Sequence, residues 1–468
     1  MQSTIHFYDA QFIGSPAQGQ LVTFDSVACT ATEVNRYGTQ ISLRADVAFN
    51  PQTIEQQDLY DVDLAAGVTE YEWSRKAQSL FEQPATLHVG LGNTSTVDHF
   101  IRYALYRCLS TLPNTELPVS AHFLDLLTIC RAISVLRPQS MPIPINVDWS
   151  ESRKRDYVFC TGERESRAEC VLALARSLVA ANPKLMAHAI AHSSPGQIAT
   201  LCGLVDGHVE SLSTLKPVFI CHEQLMATRK YGFFLAMGTD PQYTNIIYVI
   251  DLQADLTALI EDGGSSVGTF IRTDASQTDK PIVRLNLNRV PFVSPMGVVD
   301  AECAKRLNID LSIIKHNATL LHEQSDLCLA LLEEFGASWA NLSGDPDYQL
   351  FGAEYRAPDK SLIQRIHEAS PADWDQILLG AHDARITALG MRLIRRCSPA
   401  LLGEGETNMW RAHCAKRLIG KADPARIAAT KEYCLGIAAL TDVPKGMRAA
   451  ALHWLNTIEI GNEPRINV

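Results

Sequence analysis

The stretch Ile5–Gly14, IHFYDAQFIG, decides how the chain is read. Ile5 to Tyr8 is a short apolar run that reads as a strand, and it delivers Asp9 at its end. Moving outward, Gln20–Thr30 and Gln40–Phe49 read as further strands, and Trp73–Phe81 has helical spacing. Ala85–Gly90 reads as a buried strand leading into a helix over Val97–Leu109. Ala121–Leu136 reads as another helix, and Glu165–Ala181 as a third that Pro183 stops. Strands interleaved with helices predict an α/β sheet domain over residues 1–183.

The texture then changes. Between 184 and 340 the β-rich runs Pro217–Cys221, Tyr231–Gly238, Asn245–Leu252 and Pro281–Leu287 predict a small, mostly β middle domain. From 341 to 468 helical periodicity dominates: Ser361–Ala369, Asp373–Leu379, Asp383–Cys397, Thr407–Leu418, Pro424–Thr441 and Gly446–Ile458. Short Pro- or Gly-containing loops separate these helices, so an all-α closing domain is expected.

A chain of 468 residues is too long for one core, which agrees with three domains. Hydrophobic residues make up 46% and charged residues 20%, an ordinary globular balance. No run of about 18 uncharged apolar residues occurs, and no secretory signal is read at the N-terminus, so a cytoplasmic protein without a membrane span is expected. The twelve cysteines form no C-x-x-C pair and are read as reduced, buried small hydrophobes. A net charge of −11 argues against a general nucleic-acid coat protein, yet a groove on an acidic protein can still be basic.

Six segments in order resemble bacterial exonuclease I, of the DEDDh exonuclease superfamily. They are YDAQFIG (Tyr8–Gly14), QSLFEQPATLHVGLGN (Gln78–Asn93) with VDHFIRYALYR (Val97–Arg107), LDLLTICRAISVLRP (Leu124–Pro138), AECVLALARSLV (Ala168–Val179), PIVRLNLNRVPFVSP (Pro281–Pro295) with AECAKRLNID (Ala301–Asp310), and Tyr348–Arg356 with the helices after it. The resemblance implies a ribonuclease H-like exonuclease domain, an SH3-like middle domain and a C-terminal helical domain. It also implies 3′-to-5′ removal of nucleotides from single-stranded DNA.

In that family two divalent metals, Mg2+ or Mn2+ here, are held by four carboxylates beside a histidine general base. Only clustered carboxylates make two adjacent dications favourable, and the ions stabilise the attacking and leaving oxygens. Asp9 stands where the first aspartate belongs, as a metal ligand. Gln11 replaces the glutamate two residues on, keeping a carbonyl oxygen without the charge. The second aspartate falls on Val97. Asp98, one residue later, points about 100° away on a helix, so it is either a shifted ligand or a helix N-terminal acid. In Glu163–Cys170 the histidine is absent, and the last aspartate falls on Ala168 or, with a gap, on Glu169. His99 and His122 do not sit where the base belongs.

The phosphate-binding side is fuller. Arg102, Arg131, Arg137 and Lys216 match basic residues of the family. Arg153, Lys154 and Arg155 form a basic loop with Tyr157 and Phe159 beside it for base stacking, and Arg229, Lys230 and Tyr231 form a second such group. Arg392, Arg395, Arg396, Arg411, Lys416 and Arg417 add basic helix faces. Arg137 and Lys216 also match a family pocket for the acidic tail of single-stranded DNA-binding protein, whereas Pro295 and Asp300 depart from it. Three readings follow: a catalytically inactive relative that binds single-stranded DNA or 3′ ends, an active metal-dependent exonuclease recruiting Asp98, Glu169 or Glu163, and a scaffold subunit of a repair or defence complex.

Overall fold

A computed structural model describes residues 4–461 except 48, 52–53, 55–58, 61, 111–121, 143–165, 205–214, 226–228, 241–242, 244, 264–265, 274–275, 278–279, 325–343, 353 and 421–423. Five strands form the first sheet: β1 (Thr4–Ile13), β2 (Gln20–Cys29), β3 (Val34–Gln40), β4 (Thr86–Gly90) and β5 (His122–Asp125), in the order β3-β2-β1-β4-β5. The three leading strands pair antiparallel, and β1, β4 and β5 run parallel. Helices α1 (Glu70–Phe81) and α2 (Val97–Arg107) cover one face through Trp73, Ala77, Phe100 and Ala104, which pack on Tyr8 and Phe24. Helices α3 (Leu126–Leu136) and α4 (Arg167–Ala181) cover the other, where Ile129, Ile133, Val171 and Leu174 meet Phe7, Val27 and Val89. The α/β expectation for this part is met.

Two local expectations are corrected. Gln40–Phe49 is not a strand: β3 ends at Gln40, and the Leu43 N–H donates to Leu64 O rather than to a ladder partner. Its apolar residues Ile41, Val47 and Phe49 are buried all the same, which explains the misleading pattern. The true strand, VNRYGTQ, is a largely exposed edge with no apolar run to reveal it. Ala121–Leu136 is not one helix either. His122–Asp125 pairs with β4, and the Asp125 carboxylate then caps α3, accepting from Leu127 N at 3.0 Å and from Gly92 N at 2.7 Å.

The second sheet is antiparallel throughout: β6 (Val218–Cys221), β7 (Tyr231–Thr239), β8 (Ile246–Asp251), β9 (Ile282–Asn286) and β10 (Phe292–Pro295), ordered β10-β6-β7-β8-β9. The strand at Phe292–Pro295 adds to the four β runs expected from sequence. Phe219, Phe233 and Tyr248 share one continuous core with α3 and α4, and α3, which packs on β6 and β10 as well as on the first sheet, lies between the sheets. The other face, with Phe234, Ile247 and Val283, buries Ile198 of a short helix over Pro195–Leu201. The closing region is helical as expected. Its helices are Ala357–Glu368, Trp374–Leu378, Ala384–Cys397, Glu404–Ile419, Pro424–Ala439 and Lys445–Gly461. Among the described residues nine cysteines are free, and Cys170 differs from expectation in being disulfide-bonded. Among the described residues no single helix is long and apolar enough to cross a membrane.

A buried ionic network ties the first sheet to the helical region. Arg396 Nη2 lies 2.6 Å from Asp46 and 2.9 Å from Asp347, and Arg417 Nη1 bridges the same two carboxylates. Arg44 and Arg107 both pair with Glu70, and Arg44, Arg107 and Arg417 donate onward to the carbonyls of Ala17 and Gly19 in the β1–β2 turn. Gly19 is required there, because a Cβ would stand 2.0 Å from Ile13 O. Burial alone would push Asp46 and Glu70 up. The surrounding arginines overcome it and hold both carboxyls below their usual range.

Two consequences are measurable. Arg396→Met leaves two buried carboxylates short of a cation and should lower unfolding stability by about 3–5 kcal/mol, read from the chemical denaturation midpoint. The second concerns His6 and His88, neighbours on β1 and β4 whose Nδ1 atoms stand 2.9 Å apart, so one donates and the other accepts. Burial pushes His6 down to about 4, and burial with the neighbouring His6 pushes His88 well below its ordinary value. The unfolded chain binds these protons near pH 6.5, so stability is complete above that and falls as pH drops towards about 4. His6 alone corresponds to about 3 kcal/mol at about 1.4 kcal/mol per unit. His88→Phe, between the rings of Phe81 and Phe123, should flatten the fall in melting temperature between pH 6.5 and 4.

Candidate nucleic-acid interface and acidic site

Alternation along β1 turns Phe7, Asp9 and Gln11 to the α4 face and Tyr8 to the opposite one. Antiparallel pairing sets Asp9 against Asp25 and Gln11 against Thr23. Gln11 Oε1 accepts from the Thr23 hydroxyl at 3.0 Å, and the Gln11 N–H donates to that same oxygen. Asp9 is fully buried, and Arg167, the first residue of α4, brings Nη1 to 4.0 Å of its Oδ2. Burial, then the charges of Asp9 and Glu169, raise Asp25 to about 6 against the opposing pull of Arg167. The site is thus two facing carboxylates with a guanidinium supplied by the protein.

The other expected acids go elsewhere. Val97 is buried in the core with Tyr8 and Trp73. The Asp98 carboxylate accepts from the Tyr8 hydroxyl at 2.6 Å, on the face away from Asp9's strand direction. Glu169 closes a capping box with Ser166 at the start of α4 and pairs with Arg36 at 2.8 Å, which hold it below the usual carboxylate range. Asp9, Gln11, Asp98 and Glu169 therefore each have a separate partner. Among the described residues no three His, Cys, Asp or Glu side chains gather closely enough to hold a metal ion. That donor set, with Arg167 at Asp9, does not fit a two-metal site. Glu163 lies outside the described residues.

The basic residues group around two histidines: Arg102 on α2 and Arg289 after β9 both act on His99, and Arg289, Arg131 on α3 and Lys230 before β7 act on His222. Burial, then Arg289 and Arg102, push His99 down to about 4. Burial, then Arg289, Arg131 and Lys230, push His222 down to about 3, against a backbone hydrogen bond that raises it. Arg131 is 3% exposed and pairs with Glu223 at 3.2 Å. Arg229 is spent on structure, donating to Leu307 O and Asn308 O. Arg137 donates to Leu136 O and Val298 O, Lys216 is exposed, and the Asp300 carboxylate caps the helix Ala301–Leu307. Arg153, Lys154, Arg155, Tyr157 and Phe159 lie outside the described residues. Arg392, Arg396 and Arg417 do not form a basic helix face. They are ion-paired with Asp345, Asp347 or Asp46.

Sequence reasoning missed Asp25, Arg167, Glu223 and Arg289. An aspartate inside the apolar run of Gln20–Thr30 was the available signal for Asp25. Arg289 lies inside a segment already singled out, but the cross-sheet approach of Glu223 has no sequence pattern.

The family model described as "Exonuclease I SH3-like domain" matches residues 209–337, and that described as "Exonuclease I C-terminal domain" matches residues 344–458, together more than half of the chain. Exodeoxyribonuclease I of Buchnera aphidicola subsp. Schizaphis graminum is 24% identical over 375 residues, covering 75% of this chain and 73% of the relative. A zinc-bound complex of Escherichia coli exonuclease I with single-stranded DNA aligns over 98% of this chain and 100% of its own (TM-score 0.77, 19% identity), and so does an ExoI/SSB-Ct complex (TM-score 0.78, 18% identity).

The pairing of Arg167 with the two aspartates has a direct readout. Arg167→Ala removes the cation that restrains Asp25, so the Asp25 titration should move above about 6, as followed by carboxyl 13C chemical shift against pH.

Proposed function

Because the chain belongs to the exonuclease I family, we propose that it binds single-stranded DNA, 3′ ends included, and hydrolyses it far more slowly than a complete member or not at all. The observation that carries the second half is Arg167 beside Asp9. A buried carboxylate needs a compensating cation, and here a fixed guanidinium takes that part. Gln11 and Val97 remove further negative charge, and Glu169 is engaged by Arg36. Groups that act as a unit in catalysis lose most of the rate when one is missing. The first half is supported by the seam of Arg102, Arg131, Lys230 and Arg289. In this reading residues 1–183 are the exonuclease-like domain, 184–340 the SH3-like domain and 341–468 the helical domain. Docking of an acidic protein tail at Arg137 and Lys216 belongs to the same reading, with the Asp300 carboxylate opposing it.

One assay separates the possibilities. Full-length protein is incubated with labelled single-stranded DNA in Mg2+ or Mn2+ and, separately, in EDTA. The expected result is a retarded band of unchanged length under all conditions. Metal-dependent shortening that Asp9→Ala abolishes would establish the active exonuclease instead, and neither retardation nor shortening would leave a scaffold role. Arg102→Ala should weaken binding and reduce the slope of log affinity against log salt by about 0.7, the value for one phosphate contact on a single strand.

A further inference from the structure

Glu223 opens the 3-10 turn Glu223–Leu225 that follows β6. The turn is rigidly held: the His222 N–H donates to Lys230 O, Gln224 Nε2 donates to Asn286 O, and Asn286 N–H donates to Gln224 Oε1. The same stretch of β9 runs into the turn Leu287–Arg289, which fixes Arg289. Glu223 sends Oε2 to Arg131 Nη1 at 3.2 Å and Oε1 to within 3.9 Å of Arg289 Nη1. Burial, then Arg131 and Arg272, hold the neighbouring Lys230 below its ordinary value, and the charge of Glu223 opposes them. One carboxylate thus sits between two guanidiniums that come from different halves of the molecule, with an ammonium close by. Arg131 is walled in at 3% side-chain exposure, whereas Glu223 (19%) and Arg289 (33%) reach solvent.

Two guanidiniums and an ammonium around one anion is the recognition chemistry of a phosphate group. We propose that Arg131, Lys230 and Arg289 form a phosphate subsite in the seam, and that Glu223 occupies it until a backbone phosphate displaces the side chain. The inference rests on the single-strand binding reading above and deepens it. Displacement needs only rotation of one side chain, since the turns that carry the cluster are pinned by their own backbone bonds. Glu223 therefore sets the affinity and salt dependence of binding: each bound strand must expel one carboxylate before the two arginines become available.

The test uses the full chain. Fluorescence anisotropy with a labelled oligothymidylate measures affinity over a salt series, and thermal melting with inorganic phosphate measures anion binding without DNA. Glu223→Gln should bind the oligonucleotide about tenfold more tightly, with a log–log salt slope steeper by about 0.7. Phosphate should raise its melting temperature more than that of the wild type, while Glu223→Asp stays close to wild type in both. Equal oligonucleotide affinity and no phosphate response in Glu223→Gln would overturn the subsite and leave single-strand binding standing. A phosphate response in Glu223→Gln without oligonucleotide binding by either protein would keep the subsite and sink the single-strand reading. Should Glu223→Gln fail to fold, Arg289→Ala decides: weaker oligonucleotide binding with a shallower salt slope supports the subsite, and unchanged binding overturns it.

Discussion

The buried contact of Asp46 and Asp347 with Arg396 and Arg417 is the constraint on which the arrangement of the molecule rests. Charges taken out of water are costly, and a partial set costs more than a complete one. Such a network tolerates one relative placement of its donors. Asp46 comes from the loop after β3, Asp347 from the entry to the helical region, and the arginines from two of its helices. Arg417 and Arg107 reach past them to the β1–β2 turn, only a few residues beyond Asp9. The strand that carries the acidic site is therefore anchored at its far end by the helical region.

Most of the architecture was legible because its signals are local. A short apolar run marked β1, and helical spacing from Trp73 to Phe81 marked the helix that Thr69 and Glu72 cap in the structure. The failures have physical causes. VNRYGTQ is a strand because β2 offers it an open edge, not because its side chains need burial. The stretch after Gln40 mimics a strand because Leu43, Val47 and Phe49 fill a small core with Ile13, Val22 and Ala450 while their backbone follows another path. At Ala121–Leu136 helical periodicity continues through residues that the neighbouring strand β4 claims by pairing.

The site was legible only in part. Asp9 and Gln11 follow from one short motif. What surrounds Asp9 is not local. Asp25 comes from pairing across β1 and β2, and Arg167 from the docking of a helix more than 150 residues away in sequence. The same holds for the basic seam, where Arg131 and Arg289 meet only because both sheets clasp α3. Conversely, the arginines of the closing helices look like a phosphate-binding face in sequence, yet the side chains of Arg396 and Arg417 are only 3% and 4% exposed.

The placement of α3 between two sheets has a consequence for how the chain holds together. A helix normally keeps one side wet and can drift in sequence along it. α3 has almost no such side: Thr128, Ile129, Cys130, Arg131, Ala132, Ile133, Val135 and Leu136 are all buried. Neither sheet can separate without baring apolar surface on α3, so the two parts are expected to unfold together. A scaffold bound together in this way can vary side chains at one end of a strand and still leave both walls of the seam in register.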